Sequence, residues 1–314
     1  MQNDTSSHQL LLTLGFREMG SLRYLYSALA LLVYISVIMF NVTVISVVLL
    51  HKSLQEPMYI FVCVLCINGL YGSTSFFPSL IFNLVNHINT ITYTGCLMQI
   101  FCIHTYASWE MTILVIMAYD RYVCICNPLR YNSIISLFVV FKLVALAYFY
   151  IIILVGIHLV LTIRLPLCDT VILKVYCDNW SVVRLSCIDY TINNVFGLFI
   201  ASTVVGPMPM LIIISYIQIL RASIRSSKGF RAKALQTCTP HLITFTIYTA
   251  NLYFELLIYR FIPESLNYEL RTIMSVHIIA SPPLLNPLIY GLKLNEIKVK
   301  ILQTFSLKTK TVSI

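Results

Sequence analysis

Seven stretches of the chain run almost without charge for about 20 residues or more, the length a helix needs to cross the hydrocarbon core of a bilayer. They cover residues 24–50, 57–85, 95–119, 143–163, 191–220, 241–259 and 272–292. The only charges inside them are Glu110 in the third and Glu255 in the sixth. Pro78, Pro207, Pro209 and Pro287 interrupt the pattern, but a helix surrounded by other helices in lipid tolerates them. The connecting segments are short, with no repeated halves and no linker. The pattern predicts an all-α membrane protein, a seven-transmembrane helix bundle forming one domain over residues 24–292. Residues 1–23 form an N-terminal segment and 293–314 a C-terminal tail. The apolar stretch Leu10–Leu14 is short and has no basic region before it. The first span is therefore expected to serve as an uncleaved signal anchor.

Composition agrees. Hydrophobic residues make up 59% of the chain and charged residues 11%, against about 25% charged in soluble domains. The net charge of +9 is dispersed between apolar runs and forms no basic stripe, which argues against nucleic-acid binding. It sets orientation instead. With the N-terminus outside, Arg121, Arg130, Lys142, the segment Arg221–Lys233 and the tail lysines are cytosolic. Glu56, Asp120 and Glu296 are then the only acids on that face. Basic loops face the cytosol, so the N-terminus is extracellular and the C-terminus cytosolic.

Candidate chemistry is sparse. Glu110 lies ten residues before Asp120, about 15 Å along a helix, near the bilayer midplane, where a carboxyl is costly and suggests a functional site. Glu255 either pairs with Arg260 or contacts a cationic ligand group. Of the ten cysteines, Cys96, Cys168, Cys177 and Cys187 fall outside and allow three pairings. Cys63 and Cys66 mimic a metal motif, but without a nearby histidine. Asn3-Asp4-Thr5 is a glycosylation acceptor on the outer segment. Asn179-Trp180-Ser181 lies in a loop and Asn41-Val42-Thr43 in lipid. His104, His158, His241 and His277 are scattered singly. No catalytic constellation, phosphate-cradling loop or cofactor motif is present, so neither an enzyme nor a cofactor is expected.

The third span ends in Asp120-Arg121-Tyr122, an ion pair that a conformational change could break. The seventh ends in Asn286-Pro287-Leu288-Ile289-Tyr290, where proline frees a carbonyl that the asparagine can satisfy. Together these resemble rhodopsin-like G-protein-coupled receptors. Leu54–Tyr59, Met117–Tyr131, Ser215-Tyr216, Lys233–Leu242 and Pro282–Pro287 narrow the resemblance to odorant receptors, across roughly residues 10 to 305. Residues 66–72 and the proline before His241 look like the fish branch. Two positions depart from the family pattern: Phe40 replaces a glycine before Asn41, and Gly69 replaces an acidic residue beside Asn68.

The resemblance implies a plasma-membrane receptor for a small odorant. It would couple through a stimulatory, olfactory-type heterotrimeric G protein to cyclic AMP. It also implies the disulfides Cys96–Cys177 and Cys168–Cys187. At Glu110 it implies sodium or water coordination, which Gly69 puts in question; the alternative is a Glu110 packed with Asn68 and Asn286. Depth along the spans makes Ile103, His104, Ala107, Ser108, Tyr253, Glu255 and Val276 candidate ligand contacts, with ordinary interhelical packing as the alternative for each. Ile103 stands where amine receptors carry an aspartate, which disfavours aminergic ligands. The implied switch residues are Asp120, Arg121, Tyr122, Tyr216, Asn286, Pro287 and Tyr290. A channel or transporter would need several polar midplane groups.

Overall fold

The computed structural model describes residues 10–16, 22–261 and 268–311. Among these, the seven spans are helices over Leu22–Leu50, Pro57–Val85, Tyr93–Cys126, Leu137–Ile163, Thr191–Val205 continued by Pro207–Ile224, Lys228–Phe261, and Tyr268–Lys293. A tail helix, Asn295–Thr311, follows. Local chemistry sets several starts. Pro57 opens the second span, where its missing N–H is no loss. The side chains of Thr92 and Ser136 cap the third and fourth by accepting from the amides of Gly95 and Val139.

Two elements differ from the sequence pattern. The fifth span is broken at Gly206, where Pro207 cannot donate to the helix ladder. The sixth starts at Lys228 rather than residue 241 and has 34 residues. At about 1.5 Å per residue it outreaches a hydrocarbon core of about 30 Å, so the basic segment extends it as helix into the cytosol.

The third span is the hub, touching the second, fourth, fifth and sixth, while the seventh packs on the first, second and sixth. Its residues Met111, Ile113, Leu114 and Met117 are almost fully buried. The first, fourth and fifth spans instead expose large apolar residues such as Leu32, Met39, Phe149, Ile153 and Met210. On a bundle in lipid those faces are solvated by acyl chains.

A small sheet covers the extracellular end. Strand β1 (Leu11–Leu14) pairs antiparallel with β2 (Thr90–Thr92) and parallel with β3 (Val171–Ile172). Leu12, Leu14 and Phe16 are buried beneath it. The stretch read from sequence only as a short apolar run is thus part of the cap. Asn3 lies outside the described residues.

Candidate functional site

Three polar layers are stacked along the third span. The outermost borders a cavity of about 230 Å³ enclosed by the third to seventh spans and the loop between the fourth and fifth. Ile103, His104, Ala107 and Ser108 line it, as does Glu255. Aliphatic groups from Ile200, Ala201, Val204 and Leu252 complete a mainly apolar wall, as expected of a small-molecule site.

Two expected contacts are placed elsewhere. Tyr253 does not line the cavity: its hydroxyl donates to the carbonyl of Val205, 2.7 Å away, beside the break in the fifth span. Val276 packs in the apolar cluster under the sheet, with Leu12 and Phe16. Several wall residues were not among the ligand contacts expected from the sequence: Tyr106, His158, Lys174, Asp178, Asn179 and Tyr248. Those in the loop carry no periodic signal. Tyr248 sits on a recognisable helix, but its facing depends on how the sixth span rotates against the third.

The loop is fixed over the cavity by covalent and polar bonds. Cys96 is bonded to Cys177 and Cys168 to Cys187. The Cys177 amide donates to Gln99 Oε1 at 2.8 Å. Asn179 is 2% exposed. Its Nδ2 donates to His158 Nε2 at 2.8 Å and its Oδ1 accepts from Thr162 at 2.7 Å. A side chain so engaged is closed to glycosylation. Glu255 pairs with Lys174 of the loop at 2.9 Å; the side chain of Arg260, one of the two partners considered from the sequence, lies outside the described residues.

The middle layer is Glu110, fully buried. Asn68 Nδ2 donates to its Oε2 at 2.7 Å and Asn286 Nδ2 to its Oε1 at 2.5 Å. Gly69 offers no second carboxyl. A Cβ there would come within 3.2 Å of Pro283 Cα, so the seventh span would have to move to admit an acidic side chain. Among the described residues no cluster of three His, Cys, Asp or Glu side chains is arranged to hold a metal. Asn286 is thus occupied by Glu110. The carbonyl that Pro287 leaves without its helical donor is that of Pro283, and Asn41 of the first span donates to it at 2.7 Å. The expectation that Asn286 would satisfy that carbonyl is corrected accordingly.

The innermost layer is closed. Arg121 is 8% exposed. Its Nε donates to Asp120 Oδ2 at 2.8 Å, a second guanidinium N–H donates to the same oxygen, and Tyr131 donates to Oδ1 at 2.7 Å. Tyr122 and Tyr216 pack on Ile125, Ile219, Ala234 and Cys238, closing the third, fifth and sixth spans together. Tyr290 is fully buried. His241, seen in the sequence only as an isolated histidine, joins all three spans. Its Nε2 donates to the Leu114 carbonyl at 2.9 Å, and its Nδ1 accepts from the Tyr216 hydroxyl at 2.9 Å.

Comparison with known proteins agrees over most of the chain. The profile described as "Olfactory receptor" matches residues 30–308. The chain is 33% identical over 276 residues to olfactory receptor 52D1 of Homo sapiens, covering 87% of each chain. It is 34% identical over 277 residues to olfactory receptor 51E1 of Homo sapiens, covering 88% of this chain and 87% of that one. With olfactory receptor 2A12 of Homo sapiens the identity is 34% over 289 residues, covering 91% and 92%.

Proposed function

The chain belongs to the olfactory receptor family of G-protein-coupled receptors, and from that membership we propose that a small odorant in the outer cavity controls a G-protein cleft at the cytosolic end. As a member of that family it is a multi-pass plasma-membrane receptor and not an enzyme.

The observation that carries the reading is the double attachment of the sixth span to the third. Tyr248 donates to the Ala107 carbonyl at 2.5 Å, and both residues line the cavity. His241, about two turns toward the cytosol, donates to the Leu114 carbonyl on the same pair of helices. A ligand that displaces Tyr248 acts on the helix whose far end must swing away. It can shift the equilibrium only by its difference in affinity for the closed and open arrangements.

In the open arrangement Arg121 leaves Asp120 and, with Tyr216 and Tyr290, lines the cleft. The G protein is of the stimulatory, olfactory type, and its product is cyclic AMP. Arg121–Asp120, Tyr122, Tyr216, Asn286, Pro287 and Tyr290 form the switch. Ile103, His104, Ala107, Ser108 and Glu255 belong to the ligand site. The N-terminal segment, with Asn3 as its glycosylation acceptor, is extracellular and the tail cytosolic.

The test is cyclic AMP in cells expressing the chain with an olfactory-type G protein, screened with volatile and water-soluble odorants. A ligand-dependent rise is expected, and its loss in Arg121→Ala protein still present at the surface. A response fully preserved in Arg121→Ala would remove that residue from the switch.

A further inference from the structure

The roof of the outer cavity is charged, and unevenly so. Lys174, 5% exposed, places its ammonium 2.9 Å from Glu255 Oε1 and 3.5 Å from Asp178 Oδ2. The Tyr176 hydroxyl also donates to Glu255 Oε1, at 3.3 Å. All four residues border the cavity. Of the two imidazoles there, His158 is uncharged, because its Nε2 accepts from an amide that can only donate. The described wall thus sets one ammonium, that of Lys174, against the two carboxylates of Glu255 and Asp178. Below this roof the lining is mainly aliphatic, so water does little to screen the charges of the roof.

A second observation points to a ligand independently. Tyr106 is 1% exposed and forms part of the cavity wall, yet its hydroxyl has no hydrogen-bond partner among the described residues. Its ring is seated against Gly72, where a Cβ would come within 2.4 Å of it. The position is therefore held by packing rather than by a polar bond. A buried hydroxyl left without a partner is costly, and a ligand group with a lone pair or a proton removes that cost.

We infer that the cavity takes a small primary amine, its ammonium against Glu255 and Asp178 and its apolar body running down toward Ala107 and Leu252. This rests on the cavity being the ligand site. The third span supplies no counter-charge, since Ile103 stands where amine receptors carry an aspartate; the carboxylates come from the loop and the sixth span instead. A carboxylic acid would add a third negative charge around an ammonium already held by two. The amine and Lys174 compete for the same oxygens. Exchange of one cation for the other loosens the tie between loop and sixth span, at the outer end of the helix that carries Tyr248 and His241.

That competition gives two substitutions opposite signs. The experiment measures ligand-induced thermal stabilisation of the purified receptor by hexylamine, hexanol and hexanoic acid at neutral pH. The measurement needs no G protein. Unliganded melts verify that each variant is folded. Hexylamine is expected to stabilise most. Glu255→Gln is expected to weaken it about tenfold or more, the effect of losing a charged hydrogen-bond partner, and Lys174→Gln to strengthen it. Preference for hexanoic acid, lost in Lys174→Gln and kept in Glu255→Gln, would overturn the amine assignment and leave the receptor reading intact. Equal effects of hexanol and hexylamine, indifferent to both variants, would also overturn it. Stabilisation by none of the three overturns the assignment as well. A cyclic AMP response to other odorants would then show that the receptor reading survives, and its absence across the whole odorant screen that both fail.

Discussion

Asn41 donates at once to the Val37 carbonyl in its own helix, at 2.8 Å, and to the Pro283 carbonyl in the seventh span, at 2.7 Å. The second bond meets a need that Pro287 creates, because no helical N–H reaches that oxygen. Asn41→Ala should therefore leave a buried carbonyl unsatisfied and cost about 1–3 kcal/mol, seen as a lower melting temperature of the purified receptor. An unchanged melt would mean that the carbonyl finds another donor. The need was legible in the sequence, since Pro287 names the carbonyl four residues back. The donor was not, since it comes from 242 residues away, and local pattern carries no information on which helix faces which. The same limit explains Tyr253, whose depth suggested the cavity while its hydroxyl went to Val205. Glu110 was legible because an isolated charge in an apolar run needs partners, and Asn68 and Asn286 are both at its depth.

Helices and their boundaries follow a different rule. Apolar length sets the spans, and it placed all seven. It does not record where a helix continues past the membrane, so the third span runs on to Cys126 and the sixth begins at Lys228. Nor did it record the break at Gly206, though Pro207 was there to be read. The sixth span is the element whose attachments matter most, and His241 is its inner one. His241→Phe keeps an aromatic ring in place but removes both the bond to Leu114 and the acceptor for Tyr216. The closed arrangement loses stabilisation that the open one does not depend on. Basal cyclic AMP is expected to rise severalfold at matched surface level, with ligand potency raised as well, since a ligand then has a smaller gap to close. Unchanged basal signalling would mean the His241 bridge does not hold the closed state.

At the scale of the whole molecule, charge and covalent bonds divide the work. Basic residues on the cytosolic loops orient the bundle. Two disulfides and the sheet of β1, β2 and β3 fix the extracellular cap. Between them the third span carries the cavity wall, Glu110 and Arg121 in turn, so one rigid element meets all three layers. Orientation, and a cavity in the outer half of the bundle walled by Ile103, His104, Ala107 and Ser108, could be read from the sequence. The roof formed by Lys174, Asp178 and Tyr176 could not, because an irregular loop folded by disulfides has no period to reveal its facing.

The account's central claim is that occupancy of the outer cavity governs the cytosolic cleft. Ala201 lines that cavity from the fifth span, away from the Arg121 layer. The measurement is cyclic AMP dose-response in Ala201→Trp receptor at matched surface expression, against an odorant that activates the unaltered chain. An indole filling much of the cavity should abolish the response or shift it at least about tenfold, with basal signalling retained. A dose-response curve unchanged by that substitution would place the ligand elsewhere and contradict the claim.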